Sequence, residues 1–224
     1  MKKTYYIVAG IAAVALIAGY ILIAKPFAPK ESPIVENNSL STEEGLPADS
    51  EEKEGAASKQ NAEDSSSLPL ESNKIVTDDF RITPPPEWEG RPAPEGALAL
   101  AIYPKEVISD EKAAAIGFRS YFAVIKDSLG GKTREEYVKF IGEELNKIGD
   151  PVTLETTWQT KVDGMEASVL DISIRQQGVD FKTLMFLIWD GGNVWSVSLN
   201  TTADKWKSYE DTFFTVGNSF ERIR

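Results

Sequence analysis

Tyr5 to Ala24, YYIVAGIAAVALIAGYILIA, is a run of twenty residues without a charge. At about 1.5 Å per helical residue such a run spans roughly the 30 Å hydrocarbon core of a bilayer. A cleaved signal peptide has a shorter apolar region and a small-x-small exit. Here the exit reads Leu22-Ile23-Ala24 with Pro26 two residues beyond, so the expectation is a retained anchor over residues 1–25. The alternative is secretion after cleavage. Lys2 and Lys3 on the N-terminal side set the orientation by the positive-inside rule, with the N-terminus cytoplasmic and the rest outside the plasma (inner) membrane. The membrane is thus the first partner, through residues 5–24.

Residues 26–73 form an acidic linker. Between positions 31 and 72 lie eleven acidic residues and two lysines, and no aromatic residue. This composition buries too little apolar surface to offset chain entropy, so a disordered, self-repelling spacer is expected.

Residues 74–224 hold all five tryptophans and have the size of one domain with a full core. Periodicity orders the elements as β-β-β-α-β-β-β-β-α. Strands are expected at Ile75–Ile82, Ala97–Tyr103 and Ile116–Lys126. A helix opens on the capping box Thr133-Arg134-Glu135-Glu136 and carries the stripe Tyr137, Phe140, Ile141, Leu145, Ile148. Four strands follow: Val152–Thr160, with Val152, Leu154 and Trp158 on one face, then Met165–Arg175, Val179–Trp189 and Val194–Leu199. Asp163-Gly164, Gln176-Gln177-Gly178 and Asp190-Gly191-Gly192-Asn193 supply the turns. Leu184–Trp189 is apolar on both faces and needs cover on both sides. Thr201 and Thr202 are expected to cap a last helix with Trp206, Tyr209, Phe213, Val216 and Phe220 inward. The fold class is α+β, an antiparallel sheet sandwiched by helices.

Several motifs have a chemical and a structural reading. The chain has no His and no Cys, which removes Ser-His, Cys-His and His-zinc chemistry. Ser109-x-x-Lys112 fits a Ser-Lys nucleophile or a polar loop. Gly130-Gly131-Lys132-Thr133 lacks the upstream glycine of a phosphate loop and fits a turn with an N-cap. Asp190 and Asn193 fit calcium oxygens or turn chemistry. Asp171 sits mid-strand, where period two can place it on the polar face. A net acidic head without a basic run excludes nucleic acid as a natural partner. Trp88 follows three prolines and precedes Glu89-Gly90-Arg91. It either anchors a partner, with Glu89 and Arg91 beside it, or folds back to cap the open end of the core.

Phe80-Arg81-Ile82 leading to Pro84-Pro85-Pro86-Glu87-Trp88, the hairpin Val162-Asp163-Gly164-Met165-Glu166-Ala167, the run Leu187–Trp195 through Gly191-Gly192, and the closing Phe213-Phe214 to Ser219-Phe220 together resemble the Mog1/PsbP-like family over roughly residues 74–222. That resemblance implies an antiparallel sheet between helical layers. It also implies a binding or assembly role without catalysis, as in an extrinsic subunit of the photosynthetic oxygen-evolving complex, a cofactor of nuclear transport that binds a small GTPase, and bacterial envelope proteins. This chain has no histidine to match metal-binding histidines of the plant members, so no metal and no cofactor are expected. The expected function is a membrane-tethered extracytoplasmic binding or scaffold domain with an envelope protein as partner. The alternatives are a small-ligand or metal-ion binding protein, or a hydrolase using carboxylates or Ser-Lys.

Overall fold

The computed structural model describes residues 74–147 and 151–223. The membrane segment expected at 5–24, the linker at 26–73, and Ile148 lie outside the described residues. Among the described residues no helix is long and apolar enough to cross a membrane.

The strands are β1 (Ile75–Val76), β2 (Phe80–Ile82), β3 (Glu89–Arg91), β4 (Ala99–Ile102), β5 (Tyr121–Ser128), β6 (Val152–Val162), β7 (Met165–Gln176), β8 (Val179–Asp190), β9 (Asn193–Thr202) and β10 (Glu221–Arg222). The helices are α1 (Glu111–Ala115), α2 (Arg134–Leu145) and α3 (Trp206–Asn218). One sheet has seven strands in the order β3-β4-β5-β9-β8-β7-β6, and a small one has the order β1-β2-β10. Every pairing is antiparallel.

The β8 run explains the layering. Leu184, Phe186 and Ile188 point to one face, with Phe122, Val124, Val197 and Leu199, and are covered by Phe213, Val216 and Phe220 around α3. Met185, Leu187 and Trp189 point to the other, where Tyr137, Ile141 and Leu145 of α2 close over them. Phe80 extends the first layer, with its ring 5.5 Å from Phe220 and 5.6 Å from Trp195. α3 lies so close to the sheet that a Cβ added at Gly217 would stand 2.2 Å from the Phe186 ring.

The capping box at Thr133 is present, with Thr133 accepting from Glu136 N and the Glu136 carboxylate accepting from Thr133 N. Four expectations need correction. The strand at Ile75–Ile82 is two short strands in the small sheet, because Thr77 Oγ1 accepts from Phe80 N and turns the chain. Ile116–Ser120 is not strand: Asp110 caps α1 through Ala113 N, and Gly117 at φ 71 ends it. This turns Phe118 to pack on Phe181, away from Phe122. Thr201 and Thr202 finish β9, paired with Lys182 and Phe181, and α3 starts after Lys205 without a side-chain cap. A register shift between Leu154 and Thr156 splits the expected apolar face of β6. Val152 and Leu154 sit opposite Ile174 and Ile172 on the α2 side, whereas Trp158 meets Phe214 of α3 at 5.5 Å.

Candidate functional site

The chain from Thr83 to Arg91 is built around a tight turn. Trp88 N donates to Pro85 C=O at 3.3 Å, with Pro86 and Glu87 between them. Pro86 sets the first central φ, and Glu87 takes φ 67 at the second, where glycine is the usual residue. Glu87 carries a tie in return: its Oε2 accepts from Tyr103 Oη at 3.2 Å. The Glu87 charge raises the Tyr103 phenol above its ordinary value, helped by that hydrogen bond.

The turn directs Trp88 inward. Its indole is 5 % exposed, stacked on Phe122 at 6.2 Å and edge-on to Tyr209 and Phe213 at 6.0 and 6.3 Å. Glu89 and Arg91 belong to β3, a short edge strand paired with β4, and form an exposed ion pair at 2.9 Å. An ion pair so exposed contributes little. Of the three residues expected to meet a partner, two are on the surface and the tryptophan is core.

The apolar surface of this region is made by the prolines instead. Thr83, Pro84, Pro85 and Pro86 form one wall of a groove of about 480 Å³, and Asp211, Thr212, Thr215, Val216 and Ser219 of α3 and its end form the other. Ser219 joins the walls: its Oγ accepts from Thr83 N at 3.0 Å and donates to Val216 C=O at 2.7 Å. Among the described residues of the lining, Asp211 is the one ionisable side chain. Reading the sequence for the buried stripe of α3 passed over this outer face. Its signal is the spacing of Thr212, Thr215 and Ser219, three small hydroxyl residues recurring every three or four positions along one helix side.

Behind the groove a buried carboxylate fixes α3. Glu106, 7 % exposed, accepts from Ser120 N at 2.5 Å, Ser120 Oγ at 2.8 Å and Tyr209 Oη at 2.8 Å. Ser120 Oγ also lies 2.8 Å from Thr201 Oγ1. A serine beside a carboxylate has the parts of a nucleophile, but Ser120 is fully buried and bonded within the cluster, which makes the cluster a clamp.

Burial pushes the Tyr209 phenol well up, and the Glu106 hydrogen bond and charge add to it. On the α2 side, burial and the Asp127 carboxylate at 2.9 Å do the same to Tyr137. Unfolded tyrosine ionises near pH 10. The stabilisation from both phenols is therefore complete below about pH 10 and falls as pH rises toward their folded values. Thermal unfolding against pH should show a decline above about pH 10, and Y137F/Y209F should flatten it. An equally steep decline in the double variant would contradict this.

The other motif residues have structural places. Lys112 reaches over the β7–β8 turn, its Nζ 2.8 Å from where a Cβ on Gly178 would lie, and Ser109 precedes the α1 cap. Asp190 accepts from Arg222 Nη1 and from Trp195 Nε1. Burial opposes ionisation of Asp190, but those hydrogen bonds and the Arg222 and Lys126 charges outweigh it and lower its pKa. Asp171 lies on the α3 side rather than on a free polar face, neutralised by Lys182 at 2.7 Å. Among the described residues no group of three acidic, His or Cys side chains could hold a metal. A second, polar depression of about 490 Å³ lies on the α2 side, lined by Arg134, Gln159, Thr160, Lys161 and Glu166. Arg134 there pairs with Glu166 and holds its carboxyl below the usual range.

No protein-family profile matches the chain, and no curated protein matches it. Solved structures do. PA94 of Pseudomonas aeruginosa, described as a protein of unknown function, is 17% identical with TM-score 0.44, covering 59% of this chain and 95% of that one. The PsbP of the cyanobacterium Synechocystis is 16% identical with TM-score 0.46, covering 65% and 88%. LpqN of Mycobacterium tuberculosis, involved in cell envelope biogenesis there, is 14% identical with TM-score 0.50, covering 65% and 83%. The head has a PsbP/Mog1-like fold. At these identities the match concerns the fold alone, and the resemblance read from the sequence holds at that level. What a PsbP-like head does in this chain depends on its own grooves.

Proposed function

We propose that this PsbP-like head is a non-catalytic binding domain, held outside the membrane by the segment at 5–24, that docks an extended segment of an envelope protein in the groove between Thr83–Pro86 and α3. The observation that carries the reading is the groove itself. One wall is proline-stiffened, the other is a helix face of Thr, Val and Ser, and a single carboxylate, Asp211, stands in it. Such a groove offers apolar contact with little ordering cost and lacks converging ionisable groups for catalysis. Asp211 favours a basic residue in the docked segment. LpqN gives one case of this fold in envelope biogenesis.

Thr215 is exposed on the groove side of α3, so Thr215→Arg should fill the groove and leave the fold within about 0.5 kcal/mol. Mild crosslinking of the full-length protein in its native membrane, followed by mass spectrometry, should recover a stoichiometric envelope protein with the parent chain. Thr215→Arg should reduce that recovery at least about tenfold, equivalent to about 1.4 kcal/mol. Equal recovery with the variant would reject the groove as the docking site.

A further inference from the structure

The two edges of the large sheet are built differently. β3 is three residues long, and two of the three, Glu89 and Arg91, are charged. Short charged edges resist further pairing. β6 is eleven residues long and mostly exposed on its side chains. Its only charges are Glu155 and Lys161, and the five residues between them, Thr156-Thr157-Trp158-Gln159-Thr160, are uncharged and free of Gly and Pro. Threonine and tryptophan favour strands. The bulge near Glu155 protects one end, and the stretch from Thr156 onward pairs regularly with β7. Leu154, 46 % exposed, adjoins it.

This stretch is complementary to itself. An antiparallel pairing of two copies about Trp158 sets Thr156 against Thr160 of the other copy, Thr157 against Gln159, and Trp158 against Trp158. The faces agree. Thr156, Trp158 and Thr160 sit opposite Asp171, Val169 and Ala167 on the α3 side, and Thr157 and Gln159 opposite Leu170 and Ser168 on the α2 side. The same register brings Glu155 of one copy toward Lys161 of the other, so the charges that flank the run meet as opposites. Threonine pairs, aromatic pairs and opposite charges are the favourable cross-strand combinations. A two-fold axis through the Trp158 pair makes every other contact occur twice.

We propose that β6 is a self-association edge, through which two copies of this chain join their large sheets antiparallel, centred on Trp158. The occupant is a second copy because that register sets Thr against Thr, Trp against Trp and Glu against Lys. A foreign strand would have no reason to match a sequence balanced about its own middle residue.

The absence of cysteine from the chain makes the test direct. Two full-length copies with different tags are expressed together in the native membrane, one with Thr156→Cys and the other with Thr160→Cys, and treated with copper–phenanthroline. Directly opposed residues have Cβ atoms about 4.5–5.5 Å apart, close enough for a disulfide after a small adjustment. The mixed covalent dimer should form. Thr156→Cys in both copies should give at least tenfold less, because those thiols stand about 13 Å apart along the strands. No mixed dimer would overturn the proposal, as would equal linkage from Thr156→Cys alone. A disulfide-linked product with a different protein would overturn it too, by giving the edge to another partner. Thermal unfolding of each variant near the parent value confirms that the heads are folded.

Discussion

Trp88→Ala should lower the stability of the head by about 3–5 kcal/mol, the range for deleting a buried large aromatic. Against a typical domain stability of about 5–15 kcal/mol that is a large share. It corresponds to a fall in Tm of roughly 10 °C for a domain of this size. The indole fills the space between Phe122 of β5 and Tyr209 and Phe213 of α3, so its loss leaves three rings facing a cavity. It also removes the inward anchor of the turn that carries Pro84–Pro86. Partner recovery should fall as well, but together with Tm. Calorimetry of Trp88→Ala beside Thr215→Arg separates the two roles: the first variant loses stability and the second loses only the partner. A Trp88→Ala head that melts within a degree of the parent would show that the indole is not core.

Gly217→Ala should also destabilise the head, by less and for the opposite reason. Alanine in a helix gains about 1 kcal/mol over glycine by propensity. Here the added methyl would stand 2.2 Å from the Phe186 ring, well inside contact distance, and Phe186 is fully buried with nowhere to turn. Overpacking of this kind destabilises by about 1–3 kcal/mol or more, which exceeds the propensity gain. α3 must lift off β8 to admit the methyl, and the groove face of Thr212 and Thr215 moves with it. Denaturant unfolding should give a lower midpoint for Gly217→Ala and a lower one still for Gly217→Val. An unchanged or raised midpoint for alanine would mean that the helix is not seated as closely as described.

Much of the large sheet was legible because its pattern is local. Asp163-Gly164 and Gln177-Gly178 both adopt positive φ, 50 and 73 for the first pair and 53 and 77 for the second, as two-residue hairpin turns demand. The two-sided apolar run Leu184–Trp189 required layers on both faces, and α3 and α2 provide them. What failed to show was non-local. The Leu154/Thr156 bulge has no sequence mark and reverses the facing of the residues before it. Thr201 and Thr202 look like caps, yet pairing with Lys182 and Phe181 holds them in β9. β1, β2 and β10 are two or three residues each, too short for a period, and they come together from opposite ends of the head.

The same limit governed the site. Three prolines before a tryptophan marked the correct stretch of chain, since they do form one wall of the groove, with Pro84 and Pro85 buried and Pro86 exposed. The ring that looked most like an anchor is held inside by residues more than thirty and more than a hundred positions away. The second wall, Thr212, Thr215 and Ser219, reads as the ordinary polar side of an amphipathic helix until the prolines are seen beside it.

The most direct test of the central claim places a photo-crosslinking amino acid at Thr212, inside the groove, and in a separate full-length copy at Glu143, exposed on α2 at the opposite face. Both are irradiated in the native membrane. A docking groove predicts one discrete adduct from Thr212, the same protein recovered by chemical crosslinking, which disappears when Thr215→Arg is added, and no such adduct from Glu143. Equal adducts from both positions, or none from Thr212, would contradict the assignment of the groove.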